Sequence, residues 1–221
     1  MPPTTSGRPG SLAAAHRHLA RDPAMRRLIR RHGPCGLECR RWSPYEALTR
    51  AIAHQQLNGR AAQTILTRFV ALFGDGRFPA PADVVATHPA RLRSAGFSRA
   101  KVRAIKDIAR HALAGTVPTR RAAARLGDEE IIERLLPIRG VGRWTVEMLL
   151  IFTLGRPDVL PVDDFGVRDG YRVLYALDEA PKPKALAEIG LAWSPYRSIA
   201  AWYLWRASDE GKRAKAATSR A

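Results

Sequence analysis

Strand-forming stretches are almost absent from this sequence, and no segment repeats. A sheet-based fold is thereby excluded, and the expectation is an all-α protein. Cysteine is nearly missing as well. Only Cys35 and Cys39 occur in 221 residues, too few for a disulfide framework or a four-ligand metal site. The six histidines show no metal-ligand spacing, His16 and His18 forming only an i, i+2 pair, so no metal is expected. No apolar run approaches a membrane span; the longest lies inside Met148 to Leu154. The N-terminal M-P-P-T-T-S-G-R-P-G lacks the apolar centre of a signal peptide, so a soluble, cytoplasmic protein is expected, with no membrane partner. Acidic residues are the other scarcity. Twenty Asp and Glu face 37 Lys and Arg, a formal net charge of +17. An excess of that size suits a polyanionic partner. An anionic membrane fits less well, since no long amphipathic basic helix stands out.

What is present is a succession of capped helices. Hydrophobic residues make up 46% of the chain, enough for a real core. Residues 1–10 are rich in Pro, Gly, Ser and Thr and are expected to be disordered. Ser11 to Arg21 and Pro23 to His32 read as helices, the second with Asp22 as N-cap and Pro23 at its first position. Leu37 to Arg41 is short and ambiguous. Ser43-Pro44-Tyr45-Glu46 is a capping box that opens a helix ending near His54-Gln55-Gln56-Leu57. Arg60 to Phe73 is amphipathic. Prolines start two short helices, Pro81 to Thr87 and Pro89 to Ala95, and Ser98 caps a long basic helix to about Ala114. Residues 209–221, with Lys212, Arg213 and Lys215, read as a solvated basic tail.

The stretch from Leu136 to Arg168 carries the most information. A short helix, Glu129 to Leu136 behind Asp128, ends at Pro137 and Gly140. Gly140-Val141-Gly142 forms a tight turn whose two glycines permit left-handed angles and close approach of a ligand. A second helix, Arg143 to Leu154, leaves it, and the unsatisfied amides at its start suit an anion such as a phosphate. Gly155-Arg156-Pro157 stops that helix. Asp163 and Asp164 then stand at the head of another.

Helix, G-V-G hairpin, helix, and an aspartate about twenty residues on resemble the helix-hairpin-helix DNA glycosylases. The G-R-W-T and P-x-D-D runs are most similar to the alkylpurine branch, 3-methyladenine DNA glycosylase II. The resemblance covers about residues 40–208. It implies two helical lobes with a cleft between them: 43–155 as the middle lobe with the hairpin at 136–144, and 11–42 plus 156–208 as the terminal lobe. It leaves no room for the additional N-terminal mixed domain of some members. The activity implied is monofunctional hydrolysis of the N-glycosidic bond of alkylated purines in double-stranded DNA, by a monomer. In a bacterium that places the protein with the nucleoid. The lyase-type members carry a lysine just after the hairpin, where this chain has Trp144, so no Schiff base forms and the strand stays intact. Some members hold an iron–sulfur cluster on four C-terminal cysteines, and none follows Cys39 here. No cofactor is expected beyond a structural monovalent cation at the hairpin carbonyls.

The resemblance also distributes roles. Asp164, second in P-x-D-D, is the catalytic candidate. A carboxylate near C1′ stabilises oxocarbenium character and orients the attacking water. Capping is the plainer role for either aspartate, and the two coexist because the positive end of a helix suits a carboxylate. Trp144, Met148 and Trp205 are assigned to the pocket for the extruded base. A cationic methylpurine suits an electron-rich ring. Core packing is the competing role, above all for Trp193, Trp202 and Trp205. Gln55, Gln56 and Leu57 match the segment that fills the gap in the duplex. Arg139, Gly140, Gly142 and Arg143 are assigned to phosphates, and Arg99 and Lys101 are further candidates for the DNA backbone. Two alternatives remain: a non-enzymatic DNA-binding module built on the same hairpin, and a glycosylase for other damaged bases.

Overall fold

The computed structural model describes residues 11–57, 59–74 and 76–218, and every regular element among them is helical. In chain order these are α1 (Leu12–Leu19), α2 (Pro23–His32), α3 (Pro44–His54), α4 (Gly59–Ala71), α5 (Pro81–Ala86), α6 (Pro89–Ser94) and α7 (Arg99–Leu113). They continue with α8 (Arg120–Ala123), α9 (Asp128–Leu135), α10 (Arg143–Leu149), α11 (Phe165–Leu174), α12 (Pro183–Ile189) and α13 (Arg197–Thr218). The disorder expected for residues 1–10 lies outside the described residues. Contacts divide the chain into two compact units, Cys39–Leu154 and the two terminal segments Met1–Glu38 and Gly155–Ala221.

Most helices begin where side-chain caps satisfy the first amides. Asp22 Oδ1 accepts from Ala24 and Met25, and Ser43, Ser98 and Thr119 each accept from the amide three residues on. In the Cys39–Leu154 unit, α7 packs against α3 and α5, and α10 against α3 and α9. Leu48, Ile52, Ile105, Ile108, Ile131, Leu135 and Val146 fill the interior, and Phe69 meets Phe73, Phe78 and Phe97 edge to face. The hairpin belongs to this core. Ile138 and Val141 are buried on either side of Gly140.

Gly140 has φ +78°, and a Cβ there would press on Ala104 and Ile52 at 3.2 and 3.3 Å. Gly142, also expected to use left-handed angles, does not. It is extended, at φ −100° and ψ 168°, as the residue before α10. The residue is exposed, and nothing lies within 4 Å of where a Cβ would stand. The helix expected over Arg143 to Leu154 is α-helical only to Leu149, and its last turn, Leu150–Leu154, widens to a π-helix. Two carbonyls of that turn face the incoming chain. Phe152 accepts from the Arg40 amide at 2.7 Å and Ile151 from Cys39 Sγ at 3.9 Å, so the ambiguous stretch before residue 42 is pinned there without becoming helical.

In the other unit α11 and α13 form the main contact, around Leu19, Met25, Leu28, Val167, Trp193, Tyr203 and Leu204. Asp158 anchors the start of α13. It accepts the Arg197 amide and guanidinium and the Ser194 hydroxyl. Burial alone would raise its carboxyl, but these bonds win and hold it below the ordinary range. The stretch read as a basic tail is helical to Thr218, because α13 simply continues. Lys212, Arg213 and Lys215 are nonetheless exposed. Gly170 sets the separation of α11 from α13: a Cβ there would lie 1.9 Å from the Leu204 carbonyl oxygen. Gly170→Ala, meeting backbone that cannot rotate aside, should cost about 3 kcal/mol or more in a denaturant-unfolding measurement. An alanine variant of wild-type stability would show that the two helices are free to separate.

Candidate functional site

The residues singled out by sequence fall in both units. In the Cys39–Leu154 unit, α3 and α10 enclose a cavity of about 620 Å³. Trp144 and Met148, one helical turn apart on α10, line it, with Trp144 42% exposed. Gln55 and Gln56 reach the same cavity from the end of α3, whereas Leu57 is exposed and does not line it. The volume suits a small planar guest, and the walls are largely aromatic and apolar.

Two residues that sequence reasoning passed over complete it. Trp42, just before the capping box, forms a wall, and the Arg50 guanidinium lies over its ring at 4.6 Å. Arg50 is held in turn by Glu46 at 2.8 Å, an i, i+4 pair. That spacing is visible in the sequence; the stacking on Trp42 is not, because it depends on the chain folding back before α3. Glu46 offsets the guanidinium charge beside the pocket. His54 also lines the cavity, and burial first, then Arg50 and Lys101, lower its pKa and favour the neutral imidazole.

The segment after α3 is fixed from two sides. Gln56 takes the left-handed region at φ 57°, uncommon for a residue with a side chain. Lys101, a candidate for DNA phosphate, is occupied otherwise. Its ammonium donates to the Ala53 and Gln55 carbonyls at 2.8 and 2.7 Å, neutralising the negative end of α3. The Gln55 amide crosses to the hairpin and donates to the Gly140 carbonyl at 3.1 Å.

Around the hairpin, the Arg139 amide donates to Asp107 at 2.9 Å and its side chain is exposed. Arg143, at the first position of α10, pairs with Glu129 and also with buried Glu147 at 3.3 Å. Its hydrogen bond to the Glu129 carboxylate raises its pKa, so the guanidinium stays charged and partly satisfied by protein.

Asp164 and Trp205 lie in the other unit. Asp164 is the N-cap of α11, its Oδ1 accepting the Val167 amide at 2.9 Å. The Trp205 indole, on α13, donates to the same oxygen at 2.8 Å. Trp205 therefore has a polar task as well as a packing one, and it distinguishes the two aspartates: Asp163 is exposed and joins neither bond. Gly166 makes room for this. A Cβ there would meet Trp205 Cδ1 at 2.8 Å and Asp164 Oδ1 at 3.1 Å. Its signal in the sequence was a glycine two residues after the aspartates, inside a helix, where glycine is otherwise unfavourable.

Comparison with known proteins follows the same lines. The family described as HhH-GPD superfamily base excision DNA repair protein matches residues 49–195. DNA-3-methyladenine glycosylase 1 of Schizosaccharomyces pombe is 46% identical over 165 residues, 75% of this chain and 72% of that protein. The solved structure of the S. pombe 3-methyladenine DNA glycosylase Mag1 in complex with abasic DNA aligns with a TM-score of 0.80 at 41% identity, covering 87% of this chain and 95% of that one. A DNA-3-methyladenine glycosidase from Bacillus halodurans aligns with the same TM-score at 32% identity, covering 90% of each chain.

Two substitutions probe the supports rather than the site. Gly166→Ala should displace the Trp205 indole from Asp164, read as an upfield shift of its N–H resonance and a loss of about 1–2 kcal/mol of stability. Lys101→Met should remove the clamp on the Gln55–Gln56 segment at a cost of about 1–2 kcal/mol, with faster amide exchange at residues 54–57. An unshifted indole resonance, or unchanged exchange, would contradict the respective assignment.

Proposed function

The chain belongs to the HhH-GPD superfamily of base excision DNA repair proteins, and on that footing we propose that it is a DNA glycosylase that hydrolyses the N-glycosidic bond of alkylated purines. The observation that carries this reading is the Asp164 carboxylate, fixed by the Val167 amide and the Trp205 indole at the head of α11.

The chemistry follows from the bond to be broken. A purine alkylated at a ring nitrogen is cationic, so the C1′–N bond is weakened and its electrons pass readily to the departing base. The sugar then gains oxocarbenium character, which a carboxylate stabilises. Water adds its oxygen to C1′, and the carboxylate orients it and takes up its proton. The products are the free base and an abasic sugar. Aromatic faces in the Trp144 cavity suit an extruded base, since stacking replaces part of what the duplex loses. They also suit positive charge. Glu46, by pairing with Arg50, reduces the repulsion such a guest would meet there. Gln55 and Gln56, held at the rim by Lys101 and the hairpin, are placed to support the strand from which the base has left. With Trp144 in place of a lysine, no amine is available there for a Schiff base, and the reaction stops at hydrolysis.

The resemblance suggested a structural monovalent cation at the hairpin carbonyls; at Gly140 such an ion would use the lone pair that the Gln55 amide leaves free. We assign the reaction to the protein's own side chains.

The test is base release from methylated duplex DNA. Wild-type protein should free methylpurines and leave strand breaks only after alkali. Asp164→Asn, which keeps an acceptor for Val167 and Trp205 but loses the charge, should slow release at least about a hundredfold while DNA binding persists. Full activity in the Asp164→Asn variant, or a covalent adduct trapped by borohydride, would overturn the assignment.

A further inference from the structure

The Cys39–Leu154 unit holds a second cavity, of about 660 Å³, between α6, α7 and the hairpin. Its lining includes six cationic side chains, Arg93, Arg99, Arg103, Lys106, Arg110 and Arg139, and no carboxylate. Two are committed to protein partners: Lys106 to the Thr87 carbonyl at 2.6 Å and Arg110 to Asp107 at 2.9 Å. Asp107, the acid nearest to this lining through Arg110, also accepts the Arg139 amide and so ties the hairpin to α7. Arg93, Arg99 and Arg103 are exposed and form no ion pair among the described residues. One carboxylate therefore stands against six cations. Leaving so many like charges together favours an anionic partner.

We propose that this groove binds the sugar-phosphate backbone of the same duplex, beyond the nucleotides held at the hairpin. The inference rests on the glycosylase reading above. Position and spacing carry it. A smaller cavity, lined by Gln55, Gln56, Arg103, Arg139 and Gly140 among others, shares its glutamines with the Trp144 pocket and its arginines with the basic groove. The three cavities thus adjoin through shared residues, from the pocket, past the hairpin, to α7. Along α7, residues 99, 103, 106 and 110 fall on one stripe at helical spacing. The helix from Arg99 to Arg110 spans roughly 16 Å, the axial rise of about five nucleotides of one strand. No Phe, Tyr or Trp lines the groove, and cationic side chains dominate its lining. The chemistry recognised is phosphate in a chain, without regard to sequence.

The experiment compares wild type with the Arg93→Gln/Arg103→Gln double variant on an undamaged duplex of about 25 base pairs and on one of about 8, across a salt series. On the longer duplex the variant should bind about tenfold more weakly near 0.1 M salt, and the slope of log K against log salt should fall by about two. On the shorter one the two proteins should differ little, and lysines at both positions should restore the slope. Independently of any variant, ethylating single phosphates should block wild-type binding over about five nucleotides beyond the hairpin contact. Equal binding of both proteins to the longer duplex, an equal loss on both lengths, or interference confined to the hairpin would overturn the proposal. If the groove proves to bind DNA while wild type frees no methylpurine, the glycosylase reading fails and the groove stands. If methylpurines are freed but the salt slope does not change, the groove fails alone.

Discussion

One ammonium group holds together the polar end of the Cys39–Leu154 unit. Lys101 projects from the first turn of α7 onto the last carbonyls of α3, where the helix dipole is negative and the backbone acceptors have no helical partner. That contact stabilises the sharp exit at Gln55 and the left-handed turn at Gln56. From there the Gln55 amide reaches the Gly140 carbonyl and binds the segment to the hairpin. The hairpin can accept it because Ile138 and Val141 are anchored in the core while Gly140 packs directly on Ala104 and Ile52. Helix end, hairpin and pocket rim are thus one connected assembly. The burial that lowers the Lys101 pKa is the cost of placing a cation there, and two charge-assisted hydrogen bonds offset it.

Much of this was legible in the sequence, for reasons of local chemistry. Asp22, Ser43 and Ser98 announce helix starts because a short polar side chain can reach the orphan amides, and each does so. The hairpin announced itself through Gly140, whose φ and packing exclude a side chain. Gly142 did not need its glycine for the same reason, and sequence alone could not separate the two. The π-helical turn at Leu150–Leu154 was likewise hidden, and one of its carbonyls accepts from Arg40, far away in the chain.

The site shows the same division between local and distant causes. Trp144 and Met148 share a helix face, so their common cavity follows from spacing. Trp42 joins it through a loop conformation that no periodicity encodes, and only there does it meet Arg50 of α3. Lys101 read as a candidate for the DNA backbone, and only the fold shows that it caps α3. Asp164 was preferred to Asp163 by resemblance alone, and the physical difference between them, the Trp205 indole delivered by α13, is a product of the fold.

Gly170 has a wider meaning for how such a protein can change. With α11 seated on the backbone of α13, the helix that presents Asp164 and the helix that presents Trp205 cannot be repositioned separately. A substitution that would push the two helices apart meets a steric barrier at the Leu204 backbone. On the proposed reading, the carboxylate that promotes base loss therefore stands on a mount that moves as one piece, and a change in either helix carries carboxylate and indole together rather than parting them.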